Sequence, residues 1–335
     1  MTMQHYGRIV IAVCVSLLLP LMSLGATRKT TSDTESIVRQ ARKFHKGDGV
    51  QKDLHEAARL YRQAANRGNL EAQFYLGVMY HNGEGVSRDL REAARFFRLA
   101  AEQGDAVAQF NLALMYYNGE GVSRDLYEAV RLFRLAAEQG DADAQFNLAL
   151  ILYKGEGGVR DLREVVRLYR LAAEQGKVDA QLNLALMYYN GEGVLRDLDK
   201  AAHFFRLAAE QGDAVAQFNL AVMYDKGEGV PCDLREAARL FRLAAEQRDA
   251  GAQFNLALMY YNGEGVLRDL YKATHFFRLA AEQGHANAQF NLAMMYYYGT
   301  GVERDGVEAL RLFRQSARQG NTRAQAFLTK EGYTY

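Results

Sequence analysis

Between residues 35 and 332 one order of apolar and polar positions returns every 36 residues. In the stretch 105–140, Asp105 precedes Ala106 to Asn118, a run without helix breakers in which Ala108, Leu112, Met115 and Tyr116 share one helical face. Asp105 is an N-cap, because a short carboxylate there accepts hydrogen bonds from the free N–H groups of the first turn. Gly119 and Gly121 end this helix where a positive φ is needed, a conformation glycine adopts without a Cβ clash. A second helix opens at Asp125. Asp125-Leu126-Tyr127-Glu128 reads as an aspartate version of the capping box, while Leu126, Ala129, Val130, Phe133, Ala136 and Ala137 form an apolar stripe that Gly140 closes.

The same punctuation recurs along the chain. Glycine pairs run from Gly47/Gly49 to Gly299/Gly301, and a third column runs from Gly68 to Gly320 with Arg248 as its exception. Aspartates occupy the second cap from Asp53 to Asp305; repeats with Lys200 or Lys272 at the third helical position lose the reciprocal half of the box. Helices of roughly 14 residues joined by short loops lie antiparallel, and one such hairpin cannot bury its own apolar sides, so neighbours must stack. The column Leu99, Leu135, Leu171, Leu207, Leu243 and Leu279 becomes Gln63 and Gln315 at the ends, as expected of a neighbour-facing position that turns polar at the caps. The expected fold is all-α: an α-solenoid of antiparallel helix pairs, about eight 36-residue repeats, with a C-terminal capping helix. Ion pairs Arg98–Glu102 and Glu92–Arg95 are expected on the outer face of the second helix.

At the N-terminus the pattern changes. Arg8 is followed by an apolar run from Ile9 to Leu24 and by Gly25-Ala26, the layout of a secretory signal. Residues 1–25 are expected to be this signal or an N-terminal anchor, residues 26–34 a polar linker and residues 35–332 the solenoid. The expected location is therefore outside the cytoplasm, periplasmic or secreted, or the endoplasmic-reticulum lumen in a eukaryote. The basic and acidic side chains nearly balance, 41 against 40, leaving no electrostatic footprint for nucleic acid or an anionic membrane. Beyond the signal Cys232 stands alone, so no intramolecular disulfide is available to the mature chain.

The pattern Ala-Gln-Phe-x-Leu-Ala/Gly-x-Met-Tyr, then Gly-x-Gly-Val, Asp, and Glu/Lys-Ala with Phe-Arg-x-Ala-Ala-Glu-Gln-Gly, resembles the Sel-1-like repeat family, relatives of the tetratricopeptide repeats. The resemblance runs from about Glu35 to Gly332. It implies a right-handed superhelix of antiparallel helix pairs that serves as an adaptor surface for other proteins, common in exported bacterial proteins and in endoplasmic-reticulum quality control. The family's aromatic in the second helix is Phe97, Phe133, Tyr169, Phe205, Phe241, Phe277 or Phe313 here. A cysteine-rich branch with a disulfide in each repeat is linked to penicillin binding and β-lactam hydrolysis. This sequence lacks those cysteines, so that activity is not carried over.

The sequence offers several catalytic and ligand motifs, each with a structural reading. Gly119-Glu120-Gly121 lacks the lysine and hydroxyl of a P-loop and reads as turn chemistry. Glu84 and Asp89 lack further oxygens at loop spacing for calcium, and His45, His55, His81, His203, His275 and His285 form no metal set. Cys232 has no basic neighbour to activate it. No cofactor, metal or catalytic residue is expected, and the chain is read as a non-enzymatic monomer.

One column stands apart. Asn111, Asn147, Asn183, Asn219, Asn255 and Asn291 put an amide mid-helix, where asparagine is a poor helix former. With Tyr117, Tyr189, Tyr261 and Tyr297 it forms either a ladder that binds proteins or extended peptides on the concave face, or an internal hydrogen-bonding ladder between repeats. The expected function is an exported adaptor for partner proteins. The alternative is an envelope factor that recognises or hydrolyses cell-wall glycopeptide or β-lactam-like ligands.

Overall fold

The computed structural model describes residues 28–156, 158 and 160–334. The expected signal, residues 1–25, lies outside them. The described residues form seventeen α-helices and no strands. The first, α1 (Arg28–Lys46), begins inside the stretch expected as a linker.

Two compact units divide the chain at Lys177. In one, α1 pairs with α2 (Leu54–Ala65), α3 (Leu70–Asn82) with α4 (Leu90–Glu102), α5 (Ala106–Asn118) with α6 (Leu126–Glu138), and α7 (Ala142–Lys154) with α8 (Leu162–Glu174). In the other, α9 (Val178–Asn190) pairs with α10 (Leu198–Glu210), α11 (Ala214–Lys226) with α12 (Leu234–Glu246), α13 (Ala250–Asn262) with α14 (Leu270–Glu282), and α15 (Ala286–Tyr298) with α16 (Gly306–Arg318). The shorter α17 (Thr322–Lys330) covers α16. Within each unit every second helix also touches the next first helix, which is the contact that makes a solenoid.

The caps follow the sequence. Asp105 accepts from the Ala108 N–H at 2.7 Å, and Asp125 from the Glu128 N–H at 3.0 Å. The reciprocal half of the capping box does not form. The Asp125 N–H instead donates to the Tyr116 carbonyl at 2.9 Å, so Glu128 is free to pair with Arg131 at 2.6 Å. Tying the second helix to the carbonyl end of the first leaves no orphan donor for a glutamate to satisfy. At the other end, the Gly119 and Glu120 N–H groups both return to the Met115 carbonyl, with Gly119 at φ +76°.

The two helix types bury differently. Second helices are one-sided: in α6 Ala129, Leu132, Phe133, Ala136 and Ala137 are buried at the spacing of a single stripe. First helices are surrounded; in α7 burial is unbroken from Ala144 to Tyr153. A ring pair joins the two within a repeat, as in Phe110–Phe133 at 5.7 Å between centroids, Phe218–Phe241 at 5.8 Å and Phe290–Phe313 at 5.7 Å. Its recurrence is why phenylalanine or tyrosine holds the family's aromatic position here.

Two surface expectations are corrected. Arg95 pairs with Glu92 at 3.0 Å as expected, but Arg98 turns away from Glu102 and donates to the Tyr116 hydroxyl at 2.9 Å, lying over that ring. A guanidinium gains a flat aromatic face and an acceptor there, more than a solvated carboxylate offers. The leucine column is only half covered, and Leu135 lines a shallow surface groove with Arg98, Glu102 and Arg131.

Arg248 replaces a glycine and takes φ +69°. The left-handed conformation costs a non-glycine residue about 1–2 kcal/mol. Arg248→Gly is therefore expected to raise stability by about 1 kcal/mol in thermal or urea unfolding followed by circular dichroism. Gly121→Ala is expected to cost more than Gly140→Ala: a Cβ on Gly121 overlaps the Leu90 carbonyl, whereas one on Gly140 meets nothing within 4 Å.

Candidate partner-binding face and its amide relay

The asparagine column is partly shut. Asn111, Asn147, Asn183 and Asn219 are 1–4% exposed, whereas Asn255 and Asn291 are half-buried. The amides do not bridge repeats. Asn111 donates to the Val107 carbonyl at 2.8 Å, Asn147 to Asp143, Asn219 to Val215 and Asn255 to Gly251, each one turn back in its own helix. Such back-bonding is how a short amide mid-helix satisfies itself. The side-chain oxygen of Asn147 is buried without a partner.

Repeats are bridged by glutamine. Gln109, 4% exposed on α5, donates to the Ala101 carbonyl at the end of α4 (3.1 Å) and accepts from Gln139 at the end of α6 (2.8 Å). One side chain thus ties three successive helices. The relay recurs at Gln73, Gln145, Gln217, Gln253 and Gln289. A helix C-terminus buried by its neighbour exposes carbonyls that need donors, and glutamine is long enough to supply one and to accept in return. The signal in the sequence is persistence: glutamine holds this column from Gln73 to Gln325, while the asparagine column lapses at Tyr75 and Phe327.

The tyrosines lie six residues, nearly two turns, further along the first helices. Tyr117 donates to Glu156 at 2.9 Å and Tyr189 to Glu228 at 2.8 Å, in each case the glutamate between the loop glycines of the following repeat. Burial, then the neighbouring carboxylate, pushes the Tyr117 hydroxyl up to about 12. His45 and His81 hold the same column and face Glu84 at 3.9 Å and Glu120 at 3.8 Å. Burial lowers the His45 imidazole, with Glu84 pulling the other way. Among the described residues three positions of the column lack this latch. Asp225 meets Glu264, and burial together with that like charge raises the Asp225 carboxyl. Tyr261 meets Thr300 where a glutamate would stand, and is 37% exposed. Tyr297 packs edge-on against Tyr298 at 5.0 Å and Phe327 at 5.2 Å.

Beside Tyr261 a groove of about 280 Å³ opens between α13, α15 and α17. Leu258, Phe277, Phe290, Met294 and Met295 form its apolar wall, with Asn262, Asn291, Tyr298 and Arg323 at its polar edge. Neither Asn291 nor Tyr261 was distinguishable from its column by sequence, whereas Thr300 and Arg323 depart from theirs. Cys232 is exposed, its thiol 3.5 Å from the Asp225 carbonyl.

The Sel1 repeat family model matches residues 44–69, 70–105, 106–141, 142–177, 178–213, 214–249, 250–285 and 286–321. Among solved structures, the chain is similar to a protective antigen present in uropathogenic Escherichia coli strains that displays an SLR fold: 36% identity, TM-score 0.84, 90% of this chain and 65% of the other. It therefore spans less than two thirds of that protein. It is also similar to a Sel1 repeat protein from Oxalobacter formigenes, with 35% identity, TM-score 0.65, and coverage of 90% of this chain and 88% of the other. No curated protein matches.

The relay and the asparagine column are expected to differ in worth. Gln109→Leu removes the second donor of the Ala101 carbonyl, which keeps the Gly104 N–H at 3.0 Å, and leaves the Gln139 amide only the Leu135 carbonyl at 3.4 Å, so losing these two bonds is expected to cost about 1–2 kcal/mol in urea unfolding. Asn147→Ala removes an amide whose oxygen is already unpaired and is expected to cost under about 1 kcal/mol. Equal costs would contradict the assignment.

Proposed function

Because the chain belongs to the Sel1 repeat family, whose members are typically non-catalytic scaffolds for protein interaction, we propose that it is an exported adaptor holding partner proteins or extended peptides along its first-helix face. The observation that carries the reading is the rim of that face. It carries Tyr117, Tyr189, Tyr261 and Tyr297, with Tyr261 and the half-buried Asn255 and Asn291 open to a ligand. Amphipathic rings supply contact area at low entropic cost, and amides pair with peptide groups. The ladder Asn111, Asn147, Asn183, Asn219, Asn255, Asn291, Tyr117, Tyr189, Tyr261 and Tyr297 is proposed as the partner face, with the tyrosines and the half-buried Asn255 and Asn291 as its accessible members.

Export rests on residues 1–25 and agrees with a bacterial relative described as a protective antigen. Among the described residues no helix is long and apolar enough to cross a membrane. The groove beside Tyr261 is lined by no carboxylate, which gives the glycopeptide-hydrolase alternative no acid–base pair at that place.

Affinity capture from the native compartment tests the proposal, with the wild-type chain beside a variant carrying Tyr117→Ala, Tyr189→Ala, Tyr261→Ala and Tyr297→Ala. The wild type is expected to enrich a protein that the variant retains at least about tenfold less well, with helicity unchanged. No enriched protein, or equal retention, contradicts the adaptor reading.

A further inference from the structure

We propose that the groove between α13, α15 and α17 binds the C-terminal residue of a partner polypeptide, with a large apolar side chain in the pocket and its terminal carboxylate on Arg323. The inference rests on the adaptor reading and names the chemistry of one of its sites.

The groove exists because two periodic features lapse together. Elsewhere the loop glutamate of the following repeat reaches back to the rim tyrosine, as Glu156 does to Tyr117 and Glu228 to Tyr189. Thr300 is too short to do so, and Tyr261 stays open. Beyond α15 the covering helix is also shorter: α17 ends at Lys330 after nine residues, whereas α13 and α15 each have thirteen. Met294, Met295 and Tyr298 are left lining a cavity, and Tyr298 is 64% exposed.

Two polar groups at its edge, Arg323 and Asn291, have no hydrogen-bond or carboxylate partner among the described residues. Arg323 replaces Asn287, Gly251, Val215 and Asp179 of the preceding repeats, making it the cation of its column. Its guanidinium lies 4.6 Å over the Phe290 ring and pairs with no carboxylate among the described residues. The Asn291 side chain makes none of the back-bonds seen at Asn111, Asn147, Asn219 and Asn255, and has no hydrogen-bond partner among the described residues. An apolar wall, the free amide of Asn291 and a positioned planar cation match an apolar side chain, a peptide link and a carboxylate in that order. The guanidinium fork takes a carboxylate bidentately, and the ring beneath fixes its plane. At about 280 Å³ the cavity falls just below the range of pockets for drug-sized ligands, and suits a single phenylalanine- or methionine-sized side chain.

The test uses the full chain and a fluorescein-labelled glycine–serine hexapeptide ending in phenylalanine, followed by fluorescence anisotropy. The free-acid peptide is expected to bind about tenfold more tightly than its C-terminal amide, and more tightly than the same peptide ending in serine. Arg323→Gln, at an exposed position, is expected to leave helicity unchanged and to erase the acid-over-amide preference. Thr300→Glu, which returns a carboxylate to Tyr261, is expected to weaken binding of the acid. Equal affinity for acid and amide, a preference that survives Arg323→Gln, or no binding up to millimolar chain overturns the inference. A wild-type chain that fails here yet still captures a partner lost on the tyrosine substitutions leaves the adaptor reading standing.

Discussion

A first helix of this chain is apolar on more sides than its own hairpin partner can cover, and everything else in the structure answers to that. α7, buried without interruption from Ala144 to Tyr153, needs α6 on one side and α8 on another. Burial on that scale favours folding strongly per residue, but only once a neighbour is present. It also imposes a cost. The helix ends that meet the next repeat bring carbonyls with them, and a buried carbonyl without a donor is expensive. Those carbonyls each take one backbone N–H from the loop that follows, as Ala101 does from Gly104, and the glutamine relay through Gln109 and its equivalents adds a second donor that also ties one helix to the next.

Once packing is fixed by columns that do not vary, the positions free to vary are those at the rim. There the chain carries a latch between rim side chain and loop glutamate, tight at Tyr117 and Tyr189, histidine-based at His45 and His81, repulsive at Asp225 and absent at Tyr261. A repeat protein gains local specificity in this way, by leaving its core uniform and letting the edge differ. The groove beside Arg323 lies where two such departures coincide, at Thr300 and at the shortened last helix.

Much of the fold was legible in the sequence because its signals are local. Caps at Asp105 and Asp125, glycines at positive φ, the apolar stripe ending at Ala137 and the misfit Arg248 all act within a turn or two of themselves. What sequence reasoning misplaced depends on which neighbour a side chain finds across the stack. Arg98 has Glu102 at helical spacing but an aromatic ring in space; Glu128 has a cap in sequence but an arginine nearby. The asparagines are poor helix formers, yet Asn111 and its back-bonded equivalents satisfy themselves within one helix, whereas the glutamines, ordinary in propensity, carry the contacts between helices. The groove was not legible, since it is made by a missing length of helix and a shortened side chain.

Native-state hydrogen exchange of the full chain with Phe133→Ala tests the dependence of each hairpin on its neighbours most directly. Removing this fully buried ring costs about 3–5 kcal/mol. If neighbours supply the burial, protection falls in α4, α5 and α7 as well as in α6, and the loss fades with distance along the unit. Loss confined to α6 would show hairpins that stand alone, and would contradict the account.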